Sequence, residues 1–389
     1  MKINIIPIVS ALHDGVAINE ETKALISKIE DLSEYNFNIS DIAHLYETEL
    51  SLVLVQSGGS EGRFLDMEKN LKPPYYLLTY GSNNSLAASM EILSYLKNKN
   101  EKAEILHGPA EYIISRLNEL HDKKEKTPVR LGVVGKPSDW LIASDVDYEE
   151  CKSLLNIELV DVEMDELIKT YNEISLDDYK KDLVLDFDPK QVDDAKKLSK
   201  ALELLKEKYN LKGLTLRCFD LLDTVKTTGC LGLALLNSED SIGTCEGDIP
   251  AMLSMYILKE ATGSPGFQAN PSRIDAEKNE MVFAHCTLPL NMTDSYEVMT
   301  HFESGIGVAF RGHLKEQDIT IFKLSKNLKE YYVSEGKIIQ NLDECNLCRT
   351  QIKIEVEDTK YFLSNPYGNH HIIVFGNHKN KLIEYMRAL

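Results

Sequence analysis

Short apolar runs bounded by Gly, Ser, Asn and Pro alternate with amphipathic stretches through the first two thirds of the chain. Strand-like runs at Ile3–Val9, Ser51–Gln56, Tyr75–Tyr80 and Ala103–Leu106 are interleaved with helical patterns over Ser85–Lys97 and Ala110–Leu120. Strands alternating with helices predict βαβ units on a parallel sheet. The charged stretch His121–Pro128 reads as a linker or helix end. A second series begins at Val129–Gly135. It continues through a strand at Ile157–Val162, helices at Asp165–Asn172 and Pro189–Tyr209, a strand at Gly213–Cys218, and a helix from Asp248 to about Gly263. The last third changes character: Met281–Thr287, Asp318–Leu324, Arg349–Val356 and Ile372–Phe375 are strand-like, and helical pattern returns only at Lys379–Arg387. Many short strands separated by turn residues predict a β-rich domain of the kind that closes into a barrel. The expected fold is therefore α/β: two doubly wound α/β lobes, 1–126 and 127–275, followed by a β-rich C-terminal domain, 276–389.

Binding loops of parallel sheets lie at the carboxyl ends of the strands. Ser57–Gly62 and Gly81–Asn84 occupy such places, but neither has the spacing of a P-loop or a dinucleotide fingerprint. The formal charge of −19 over 389 residues argues against a nucleic-acid surface, which needs basic groups to meet phosphates. No run of about 18 apolar residues predicts a membrane span. The opening apolar stretch is shorter than an export core, and seven scattered cysteines form no framework; both suit a reducing cytoplasm. Cys345 and Cys348 make a lone CxxC without a nearby second pair, so free thiols on a loop are expected there rather than zinc.

The chemistry concentrates in Gly243-Thr244-Cys245-Glu246-Gly247-Asp248-Ile249-Pro250. If the segment is extended, Glu246 and Asp248 point to one side. Two adjacent carboxylates repel unless a cation or proton lies between them. Asp248 before Ile249-Pro250 is equally an ordinary helix N-cap, and one oxygen can cap while the other binds. Three histidine segments lie downstream, at His285, at His301 with Glu303, and at His370-His371 beside Asn369. Adjacent histidines on a strand face opposite ways, so at most one of His370 and His371 serves a given site. Carboxylate with imidazole suits Mn, Fe, Co or Zn.

These stretches resemble the L-fucose isomerase-like family, related to the L-fucose and L-arabinose isomerases. The resemblance rests on Cys245–Ala251, Asn270–Asp275, Ala284–Thr287, His301–Gly307, Cys348–Gln351 and Gly368–His371, in order along the second half of the chain. It implies three domains, a pocket between the second and third that a neighbouring subunit helps to close, a trimer or hexamer, and a divalent ion, most often manganese. By the same resemblance Asp248 and His370 match metal ligands, and Glu246 matches an acidic position beside them. The family's other catalytic Glu is replaced here by Thr224, which leaves Asp220 or Asp223 as substitutes.

The expected activity is metal-dependent aldose–ketose isomerisation of an open-chain sugar through an enediolate. Asp248 and His370 are expected ligands, Glu246 a ligand or base, and Asp220 a second base. His285, His301, Glu303 and Asn369 are expected to contact sugar hydroxyls. Arg273 suits either an anionic end of the substrate or pairing with Asp275, the latter being favoured. A non-catalytic sugar-binding protein and a metal-dependent aldolase are the rival readings.

Overall fold

The computed structural model describes residues 2–12, 15–39, 50–125, 127–179, 181, 183 and 185–389. They fall into two compact units, Met1–Lys126 and Thr127–Leu389. In the first, strands β1 (Lys2–Ile8), β2 (Asn36–Ile39), β3 (Leu50–Val55), β4 (Tyr75–Leu78) and β5 (Ala103–Leu106) form a parallel sheet in the order β2-β1-β3-β4-β5. Its helices are α1 (Gly15–Asp31), α2 (Glu61–Glu68), α3 (Ser85–Asn98) and α4 (Ala110–Glu125). The period of two sends alternate residues into different cores. Leu52, Leu54 and Leu78 meet α1 and α4, whereas Val53, Val55 and Leu77 meet α2 and α3. The charged stretch from His121 is the end of α4.

The second unit opens with another parallel sheet. Its strands β6 (Val129–Val134), β7 (Ile157–Val162), β8 (Gly213–Leu216) and β9 (Gly243–Cys245) run in the order β7-β6-β8-β9. Helices α6 (Met164–Glu173), α7 (Pro189–Lys208) and α9 (Cys230–Ser238) cover one face; α5 (Tyr148–Leu155) and α10 (Ile249–Thr262) cover the other. A short helix, α8 (Asp220–Thr224), follows β8.

Six antiparallel strands then close into a barrel in the order β10-β11-β16-β15-β14-β17: β10 (Phe267–Asp275), β11 (Glu280–His285), β14 (Asp318–Leu324), β15 (Tyr331–Asn341), β16 (Thr350–Val356) and β17 (His371–Phe375). A separate hairpin, β12 (Ser295–Met299) with β13 (Ala309–His313), and helices α11 (Lys360–Ser364) and α12 (Lys379–Ala388) complete the unit. Ile319, Ile321 and Ile373 point into the barrel, while Phe322, Leu324, Ile372 and Val374 point out onto α10. Helix α10 is thus shared between parallel sheet and barrel, which explains its nearly all-round apolar sequence. Among the described residues no helix is long and apolar enough to cross a membrane.

Periodicity alone does not reveal β10. Its Asn-Pro-Ser-Arg interior looks like a turn, and the pairing with β11 shifts register between Pro271 and Arg273. A bulge is where a strand accommodates proline. The barrel therefore begins before residue 275.

Candidate metal centre

Strand β9 delivers the ligand turn to the carboxyl end of the parallel sheet. The extended geometry expected for Glu246-Gly247-Asp248 is not what forms: Glu246 has φ +65° and Gly247 φ +70°. Left-handed backbone is costly for a residue such as Glu and recurs at functional sites. Gly247 is required twice over, because a Cβ there would lie 2.3 Å from the Lys136 carbonyl oxygen. The turn is stapled to the loop after β6, where the Ser138 amide donates to the Glu246 carbonyl at 2.9 Å.

The two carboxylates converge all the same, on opposite edges of one imidazole. His370 Nδ1 lies 2.8 Å from Asp248 Oδ2, and His370 Nε2 lies 3.4 Å from Glu246 Oε1. His285, at the end of β11, places Nε2 4.0 Å from the same Glu246 oxygen. Its Nδ1 is 3.1 Å from the Thr287 hydroxyl. One ligand atom each from Glu246, His285 and His370 lie within 4.8 Å of one another, close enough to hold one metal ion between them. His370 Nε2 is buried and has no hydrogen-bond partner among the described residues.

Asp248, expected as a ligand, is fully buried and has both oxygens engaged. Oδ1 accepts the Ala251 amide at 2.8 Å, the N-cap of α10, and lies 3.6 Å from Lys323 Nζ. Oδ2 accepts His370 Nδ1–H. When the ring is neutral, that bond fixes the tautomer that leaves Nε2 as an electron-pair donor. Lys323, also buried, was not anticipated. Its signal is a lone Lys on the face of β14 that otherwise carries Ile319 and Ile321.

Electrostatics follow from this packing. Burial works against charge on Glu246, but His370 and His285 outweigh it, and its carboxyl falls to about 2. Burial likewise opposes charge on Asp248; Lys323 and His370 hold it well below the usual carboxylate range. For His370, burial lowers proton affinity, while the hydrogen bond to Asp248 and the adjacent Glu246 carboxylate raise it, to about 9. Burial, helped by the neighbouring His370, drops His285 to about 4.

His371 points the other way, as adjacent strand positions must. It lies 3.0 Å from the Tyr361 hydroxyl, inside the barrel beside Phe283 and Phe362. His301 stands beside the cluster, its Nε2 3.4 Å from Glu303 Oε2. Its ring meets Phe219 edge-on, and Phe219 meets Trp140. Trp140, the single tryptophan, donates Nε1–H to Glu246 Oε2 at 2.7 Å. It too was missed, although it lies on a loop at the carboxyl end of β6.

Three expected residues are not in the cluster. Asp220 accepts Arg217 Nε at 3.0 Å in a network with Asp139. Asn369 is exposed, and its carbonyl meets His371 Nδ1 at 3.0 Å. Arg273 pairs with Glu344 through two bonds, at 3.0 and 2.6 Å, rather than with Asp275, whose carboxylate lies 3.6 Å from Lys278. The Arg273 pair joins distant segments that sequence spacing cannot relate. Of the CxxC cysteines, Cys345 is exposed and Cys348 packs against the buried Cys230 and Cys286; all seven cysteines are free thiols.

No family profile matches the chain. Among known proteins it is similar to the sulfoquinovose isomerase of Priestia aryabhattai, 25% identical over 333 residues that cover 79% of this chain and 74% of that protein. The sulfoquinovose isomerase of Priestia megaterium shows the same identity and coverage. That of Alkalicoccus urumqiensis is 22% identical over 271 residues, covering 65% of this chain and 60% of the relative.

Proposed function

We propose that this protein is a metal-assisted aldose–ketose isomerase acting on an open-chain sugar. The similarity to proteins named sulfoquinovose isomerase supports the reaction class. The observation that carries the metal is the Glu246–His285–His370 cluster with its unpartnered, buried Nε2. One anionic oxygen with two imidazoles suits a divalent transition ion such as Mn2+. Glu246, His285 and His370 would hold it; Asp248 and Thr287 would orient the two rings. When bound, such an ion supplies a Lewis acid that stabilises negative charge developing on the two oxygens of the sugar. The protein's own contribution is to hold the His370 tautomer, to keep His285 neutral and to bury the cluster away from bulk water. Membership in the L-fucose isomerase-like family, a trimeric or hexameric assembly, and division of the chain at 126/127, with the β-rich domain opening at Phe267 rather than at 276, belong to the same reading. A sulfonated aldohexose heads the substrates to test.

The test is to strip the protein with EDTA, restore Mn2+, and follow sulfoquinovose, L-fucose and D-arabinose by NMR. Ketose formation that requires Mn2+ is expected. Turnover indifferent to the ion overturns the metal reading, cleavage products favour the aldolase, and binding without hydrogen exchange favours the sugar-binding protein.

A pH dependence accompanies it. His370 titrates near 9 in the metal-free protein against 6.5 when unperturbed. A raised value means stability that is fully present below pH 6.5 and is lost as pH climbs through 9. Asp248 and Glu246 flank the ring and set that value against burial; Lys323 stands beyond Asp248, and the His285 ring meets it at 5.2 Å. The ion needs the deprotonated ring. Melting temperature in EDTA should therefore fall across this window, while the increment given by Mn2+ grows. An increment that shrinks with rising pH would contradict the proposed ligand set.

A further inference from the structure

One carboxylate of this site has no oxygen to spare, and another has a free approach. Glu246 Oε2 accepts the Trp140 indole N–H at 2.7 Å, and Oε1 faces His370 and His285 at 3.4 and 4.0 Å. Its side chain is 13% exposed. Glu303 is 51% exposed, backed on one side by His301 Nε2 at 3.4 Å. His301 is itself fixed, with Nδ1 3.0 Å from Ser304 Oγ and its ring edge-on to Phe219 at 5.6 Å. Phe219 meets Trp140 at 5.0 Å. Glu246, Trp140, Phe219, His301 and Glu303 thus form one continuous chain of contacts, with a carboxylate at each end. Glu303 lies close enough to Glu246 to feel its charge.

We propose that Glu303, oriented by His301, carries the proton between C2 and C1 of the sugar, while Trp140 commits Glu246 to holding the ion. This deepens the isomerase reading above and rests on it. From the aldose, the Glu303 carboxylate takes the proton from C2. The C–H electron pair becomes the C1=C2 bond, and the carbonyl pair moves to O1. Glu303 returns its proton to C1, the O2 proton passes to O1, and C2 is left as the ketone. Atoms and electrons balance with no outside reagent. Partial burial raises the proton affinity of Glu303 and outweighs the opposing His301, the direction a general base requires.

The experiment compares wild type, Glu303→Gln, Glu303→Asp and Trp140→Phe, each loaded with Mn2+. Affinity is read by calorimetry, and turnover and solvent deuterium entry by NMR with each aldose of the panel. Glu303→Gln should bind Mn2+ within about threefold of wild type while kcat falls by about 10²–10⁴, and deuterium entry should fall with it. Glu303→Asp, which keeps a carboxylate on a shorter arm, should recover part of the exchange. Trp140→Phe should weaken Mn2+ binding by about 10- to 100-fold, the usual effect of losing a partner that orients a ligand. Wild-type exchange in Glu303→Gln overturns the proposal, as does a loss of Mn2+ affinity as large as that of Glu246→Gln. A wild type that binds Mn2+ yet neither exchanges nor isomerises any panel aldose overturns the isomerase reading itself.

Discussion

Glu246→Gln is expected to lose the ion and the activity together. The amide keeps the volume and one acceptor oxygen but removes the only anionic member of the Glu246–His285–His370 group. Changing a group that merely supports a ligand typically costs 10–100-fold in metal affinity. Removing the charged ligand itself should cost at least about 100-fold. If the amide NH2 is turned towards Trp140, it also opposes the Nε1–H, which requires an acceptor. Calorimetric titration with Mn2+ and the sugar panel provide the check. Affinity equal to wild type would remove Glu246 from the ligand set.

Lys323→Met is expected to produce the largest loss of stability. Lys323 Nζ lies 3.6 Å from Asp248 Oδ1, with side-chain exposures of 1% and 0%. Breaking a buried pair by removing one partner leaves an uncompensated charge and costs about 3–5 kcal/mol. At about 2–4 °C per kcal/mol for a unit of this size, the melting temperature should fall by about 10 °C. Asp248 also caps α10 and holds His370, so the disturbance should reach the metal centre: Mn2+ should bind more weakly even where the variant is folded. The double variant Lys323→Met with Asp248→Asn should be more stable than the sum of the single changes, because the stranded charge is gone. Strict additivity in thermal melts would show that the pair is not coupled.

How much of this site could be read beforehand depended on the range of the interaction. The Asp248 cap was legible because it involves residues three apart, Asp248 and Ala251, and Pro250 marks the first helical turn. Opposite facing of His370 and His371 follows from strand geometry alone. The extended form of Glu246-Gly247-Asp248 was a local inference that failed. Tertiary contact with the Lys136 carbonyl and the Ser138 amide selects the left-handed turn instead. Lys323 and Trp140 reach the site from a barrel strand and a distant loop, and no spacing in the chain relates them to Glu246.

Taken alone, the sequence determined the alternating βαβ pattern, the β-rich end and the residue types able to hold a divalent ion. Those properties are written in periodicities of two and 3.6 and in turn chemistry, which act over a few residues. Only the tertiary structure decided which histidine joins Glu246 and His370, that Asp248 stands behind His370 rather than beside Glu246, and that a buried lysine neutralises it. Each of those depends on how closely side chains far apart in the chain pack in a medium without water. There a contact of about 3 Å, invisible to any local pattern, sets charge and tautomer.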